Sequence, residues 1–168
     1  MRTPNTGLRT TLAALLATLV VGCAGNTPTG PADITIADLA GTWTNTQFTI
    51  TSKADPTQKV DFGALGMSFT IAVTPSGTFT GTTTLPGAFM GMPGVVTVPI
   101  SGVMRVSDTQ SLRIDFVPEM PPALVTFVGP FTLVGDVLTV DDEEEARHDF
   151  DGDGATEPAA VHIVLQRS

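Results

Sequence analysis

The chain has 168 residues, 17 of them acidic and 8 basic, for a formal charge of −9, with one cysteine, one tryptophan and no tyrosine. So acidic a surface repels phosphate backbones and anionic headgroups, which excludes nucleic acid as a partner and favours cations. A lone cysteine excludes an internal disulfide, so the length suits one domain held by packing alone.

Arg2 and Arg9 flank the start of the chain, and residues 12–21 form an uncharged apolar run. A mature membrane-crossing helix needs roughly 20 such residues, so the run suits the core of an export signal instead. It ends in Val20-Val21-Gly22-Cys23. That tetrapeptide resembles the lipobox of bacterial lipoproteins, where a small residue precedes the cysteine, although leucine is commoner than valine at the place of Val20. The resemblance implies a signal peptide over residues 1–22, cleavage before Cys23, and membrane attachment through acyl chains on that cysteine. Each buried methylene contributes about 0.8 kcal/mol, so two or three chains anchor firmly. Ala24 follows, not the aspartate that marks inner-membrane retention in enteric bacteria, so the expected location is the cell envelope, at the outer membrane where one exists. The rival readings are an ordinary signal with a chance cysteine and an uncleaved anchor. Residues 23–33 lack apolar periodicity and read as a flexible tether. Residues 34–168 read as the folded domain.

From residue 34 onward, threonine, valine and phenylalanine alternate between glycine and proline breaks, which is a β pattern. Asp38-Leu39-Ala40 reads as a short helical turn before the first strand. Met67, Phe69, Ile71 and Val73 share one face of the next clear strand. A turn at residues 74–77 leads to a returning strand over 78–84. Residues 95–106 and 111–117 flank a turn at 107–110, with Leu112, Ile114 and Phe116 predicted inward and Arg113 and Asp115 outward. Residues 131–134 and 137–141 bracket Gly135-Asp136, a two-residue hairpin signal. The last strand, residues 159–167, puts Val161, Ile163, Leu165 and Arg167 on one face. Eight or nine short antiparallel strands without an amphipathic helix predict an all-β domain, either an up-and-down barrel or a sandwich.

Gly41-Thr42-Trp43 opens the first strand, and Trp43 is the sole tryptophan. Gly-x-Trp at that place resembles the lipocalin-like proteins of bacteria. The resemblance implies a single barrel of about eight strands, closed at its base by Trp43 packed under Arg167 through a cation–π contact. The other lipocalin motifs and the family's C-terminal helix are missing. A core tryptophan in an unrelated sandwich is the alternative.

Asp149, Asp151 and Asp153 alternate and are followed by Gly154, as in the first half of an EF-hand calcium loop. In that register Ala155 offers a carbonyl and Glu157 a ninth-position ligand, but Ala160 stands where a bidentate glutamate belongs. The candidate Ca2+ site is therefore a turn between strands with affinity no better than about 10⁻⁴ M. The bland reading is a solvated Asp/Gly hairpin. Residues 141–145 are five consecutive acids, read as a solvated loop that could lend carboxylates to the same cation. The methionine-bearing loop at residues 88–94 reads as a soft lip of a barrel mouth rather than a copper site, since no histidine or cysteine accompanies it. No nucleophile elbow or metalloprotease motif is present, and His162 is expected to face solvent, so an enzyme is not expected.

The leading expectation is a lipid-anchored barrel that binds a small hydrophobic ligand, since eight strands enclose either their own side chains or one small ligand. The alternative is a filled barrel serving as an envelope structural or interaction module with a calcium-stabilised loop. A protein partner is not identified by any motif.

Overall fold

The computed structural model describes residues 33–107, 110–119, 125–142 and 146–168. The signal segment 1–22, Cys23, the tether up to residue 32, Met120 and residues 143–145 lie outside the described residues. A 3-10 turn, Ile36–Leu39, leads into ten strands: β1 (Gly41–Ser52), β2 (Lys59–Asp61), β3 (Ser68–Val73), β4 (Thr78–Pro86), β5 (Val95–Val106), β6 (Ser111–Pro118), β7 (Val125–Val134), β8 (Val137–Asp142), β9 (Arg147–His148) and β10 (Glu157–Arg167). A second 3-10 turn, Gly87–Met90, separates β4 from β5.

All strands but β2 and β9 follow one another antiparallel around a ring, and β10 pairs back onto β1. The fold is thus a closed, eight-stranded, up-and-down barrel of lipocalin-like form: of the barrel and the sandwich that the strand pattern allows, it is the barrel that the Gly-x-Trp resemblance implies. Pairing of β10 onto β1 removes the two free edge strands that an open sheet would carry, and with them the usual template for edge-to-edge association.

The period-two pattern decides which side chains fill the barrel. Ile71 and Val73 of β3, Val98, Ile100 and Met104 of β5, Leu112 and Ile114 of β6, and Val161, Ile163 and Leu165 of β10 are buried inside. Arg113 and Asp115 lie outward, joined by an ion pair of 2.9 Å. The strand expected over residues 131–134 begins at Val125 instead. Its early part escapes notice because Val125-Thr-Phe-Val128 does not alternate cleanly, and because Gly129 reads as a break. Gly129 is in fact a requirement of the ring: a Cβ there would lie 1.6 Å from the backbone oxygen of Asp141 on β8. Only a glycine lets the two backbones approach so closely there.

β1 divides its partners. Its first residues pair with β3, from Gly41 opposite Val73 to Thr44 opposite Thr70. A register shift between Asn45 and Gln47 on the β10 side then marks a bulge. At the departure Asn45 Oδ1 accepts the N–H of Phe69 at 2.6 Å, so a side chain replaces the lost ladder partner. Beyond it Thr49–Thr51 pair with the short β2, which fills the space that β3 has left. Phe62 follows β2, donating its N–H to Phe48 O at 2.9 Å, and its ring stacks on that of Phe48 with centroids 5.1 Å apart.

Candidate functional site

The two ends of the barrel differ. At the base Trp43 is completely buried, and its indole N–H donates to Leu39 O at 2.8 Å. The guanidinium of Arg167 lies 4.5 Å from the Trp43 ring centroid and donates from Nη2 to Asp38 O at 2.6 Å. Its Nε, 3.8 Å from Asp136 Oδ1, is held by charge without a hydrogen bond. Gly41 has φ +140°, and a Cβ there would meet the Arg167 stem at 3.3 Å, so the arginine lies directly over the glycine of the Gly-x-Trp motif. Thr35 caps the preceding turn by donating from both its N–H and its hydroxyl to Asp38 Oδ2, and these bonds hold the Asp38 carboxyl below its usual range.

Above this base the barrel is hollow. A cavity of about 350 Å³ lies within it, with Phe48, Phe69, Phe79, Ile114, Phe127 and Leu165 among its walls. Ile71, opposite Trp43 in the β1–β3 ladder, marks its floor. Thr83 is the one polar side chain on the wall among the described residues, and its hydroxyl already donates to Ser68 O at 3.3 Å. Among the described residues the lining therefore offers shape and apolar surface, with no free donor and only the Thr83 hydroxyl oxygen as an acceptor. The inward residues Phe69, Ile71, Ile114 and Phe116 suggest a filled barrel by their bulk, yet they ring the space without occupying it.

The mouth is aromatic. Phe89, on the second 3-10 turn, reaches the cavity while 53% exposed. Its ring centroid is 6.1 Å from that of Phe62, which meets His148 at 5.9 Å, and His148 meets Phe150 edge-on at 4.8 Å. A row of rings thus runs from the cavity wall at Phe48 to the acidic turn that contains Phe150. Phe62, Phe127 and His148 carry no recognisable motif, and sequence reasoning misses their association. His148 in particular reads as a loop residue, whereas it belongs to β9, paired opposite Glu157.

In the acidic turn, carboxylate oxygens of Asp149, Asp151, Asp153 and Glu157 lie within 4.8 Å of one another. Their hydrogen bonds explain the turn as it stands: Asp149 accepts the N–H groups of Gly152 and Gly154 at 2.7 and 3.0 Å, and Glu157 accepts that of Phe150 at 2.9 Å. Ala155 donates its N–H to Asp153 Oδ1 at 2.7 Å. Partial desolvation opposes ionisation of Asp149, but the bonds from Gly152, Gly154 and Asp153 outweigh it and lower its pKa. Asp141 and Asp142 do not join this group. Asp141 Oδ1 lies 2.6 Å from Nδ1 of the half-exposed His162, and the buried Asp142 accepts the N–H of Val128 at 3.1 Å. The reading of residues 141–145 as a solvated loop is thereby corrected for Asp141 and Asp142: β8 runs through both, and its alternation turns Asp142 inward.

The sequence matches no model of a known protein family and no curated protein.

Proposed function

We propose that the protein is a lipid-anchored lipocalin-like protein of the cell envelope that binds one small hydrophobic ligand inside its barrel. One observation carries the reading: the cavity of about 350 Å³ above a closed base, walled by apolar side chains. Ligand sites are typically concave and mostly apolar with volumes from about 300 Å³ upward, and an apolar hollow of this kind gains by excluding water. The envelope location and lipid anchor rest on Val20-Val21-Gly22-Cys23 and on Ala24. The role is one of binding and not of catalysis. Of the two histidines, His162 pairs with Asp141 on the barrel's outer face, and His148 is packed between Phe62 and Phe150.

Native mass spectrometry of gently purified protein tests this. A co-purifying organic adduct is expected on the wild type and absent from Ile114→Trp, which fills the cavity from its wall. Bare protein in both, together with failure to bind the apolar fluorophore N-phenyl-naphthylamine, sinks the reading.

The approach of Asp149, Asp151, Asp153 and Glu157 favours one part of the alternative, a calcium-stabilised turn in an envelope interaction module. Calcium titration of the same protein decides it: a metal adduct at millimolar calcium supports the site, and its absence leaves a hairpin held by Asx-type hydrogen bonds.

A further inference from the structure

We infer that the ligand is a cationic amphiphile: a single apolar tail of about a dozen carbons inside the barrel and an ammonium head held at its mouth. The inference rests on the apolar-ligand reading above and names the ligand's class. Tail size follows from volume. A cavity of about 150 Å³ admits benzene, so the present one, about 350 Å³, accommodates roughly twice as many carbon atoms.

The head cannot enter the barrel. A charged group loses its hydration on burial and needs several partners in exchange, and among the described residues the walls provide only the Thr83 hydroxyl, whose proton is already donated to Ser68 O. It must therefore stay where the cavity opens, and two features there select its sign. The first is the aromatic row Phe89–Phe62–His148–Phe150, whose phenyl faces attract cations, quaternary ammonium groups above all. The second is charge. Asp61, Glu119, Asp149, Asp151, Asp153 and Glu157 lie on strand ends and loops at this end of the barrel, and Phe150 stands between two of them in the chain. The bases at the same end are Lys53, Lys59 and Arg147, and the Arg147 guanidinium is turned to Thr156 O at 2.8 Å. Arg105, Arg113 and Arg167 belong to the base half of the barrel, beside Asp115 and Asp136. An anionic head at the mouth meets net repulsion, a neutral head meets neither pull nor push, and a cation is drawn in.

The test is displacement of N-phenyl-naphthylamine from the purified protein by dodecyltrimethylammonium, dodecanol and dodecanoate, each below its micelle concentration. The expected order is ammonium, then alcohol, then carboxylate. The ammonium compound should bind at least about tenfold more tightly than the carboxylate at low ionic strength, with the gap narrowing as salt screens the mouth. Asp151→Asn combined with Asp153→Asn keeps the oxygen acceptors of the turn while removing charge. That variant should lower ammonium affinity about threefold and leave dodecanol unchanged. Equal binding of all three, or a preference for the carboxylate, overturns the inference while leaving an apolar-ligand barrel intact. If the reporter does not bind, or no compound displaces it, the apolar-ligand reading itself falls.

Discussion

At the base, Trp43 is sealed in with its N–H donated to Leu39 and Arg167 laid over its face, whereas at the mouth Phe89 stands half exposed among other rings. The contacts at the base are directional, since a hydrogen bond and a guanidinium above an indole each permit few geometries. Those at the mouth are ring against ring, at centroid distances from 4.8 to 6.1 Å and with varied tilts, a kind of contact that tolerates rearrangement. The barrel is thus fixed at one end and adaptable at the other. Stability and binding should accordingly respond to different residues, and substitutions can show whether they do.

Trp43→Ala is the severest challenge to the base. Removing a fully buried indole should cost about 3–5 kcal/mol, read from urea unfolding, and leave little folded protein in which to measure binding. A cost below about 1 kcal/mol would mean that the base is not the anchor of the ring. Arg167→Met preserves much of the stem over Trp43 and Gly41 but removes the bond to Asp38 O and the cation. A loss of about 2 kcal/mol is expected, with reporter binding retained in the folded fraction. Phe89→Ala at the mouth should do the reverse, changing stability by no more than about 0.5–1 kcal/mol while weakening the apolar reporter severalfold. If Phe89→Ala proves as destabilising as Arg167→Met, the division between the two ends is wrong.

The smallest effect concerns Asp115, on the outer face of β6. A bond from Arg113, assisted by Thr126 and Arg105 against some desolvation, holds its carboxyl below the ordinary 3.8. A carboxylate whose folded pKa is depressed stabilises the fold above its unfolded pKa, and the benefit is lost as pH falls through the folded value. Asp115→Asn should therefore lower stability by less than about 1 kcal/mol at neutral pH. The difference from wild type should close below about pH 3.8, as acid unfolding curves of the two proteins would show.

Much of the ring is legible in the chain because period-two alternation is a local property. Residues 67–73, 111–117 and 159–167 display it openly, and burial of one face follows. The base is legible for another reason: Gly41-Thr42-Trp43, holding the sole tryptophan, opens the first strand and resembles a known motif, which implies an arginine such as Arg167 from the last strand over it. The mouth is not legible, because what brings Phe62 to Phe48 is a bulge in β1 and the three-residue strand β2, neither of which has a periodic signature. Nor can alternation tell a hollow barrel from a filled one, since that depends on the radius to which the bent strands close. Asp142 is an instructive miss. Five acids in a row suggest a solvated loop, yet continuing Leu138 and Val140 by two more residues would have placed it inside.

The absence of tyrosine has an experimental consequence when joined to the position of Trp43. The intrinsic ultraviolet emission of this protein comes from one indole, shut away from water at the foot of the barrel. Its wavelength should report whether the ring is closed, with little sensitivity to which head group waits at the far end. An extrinsic dye in the hollow reads the other half of the molecule. Followed together during denaturation, the two signals would separate loss of the cargo space from loss of the barrel, a distinction that one averaged spectrum could not make.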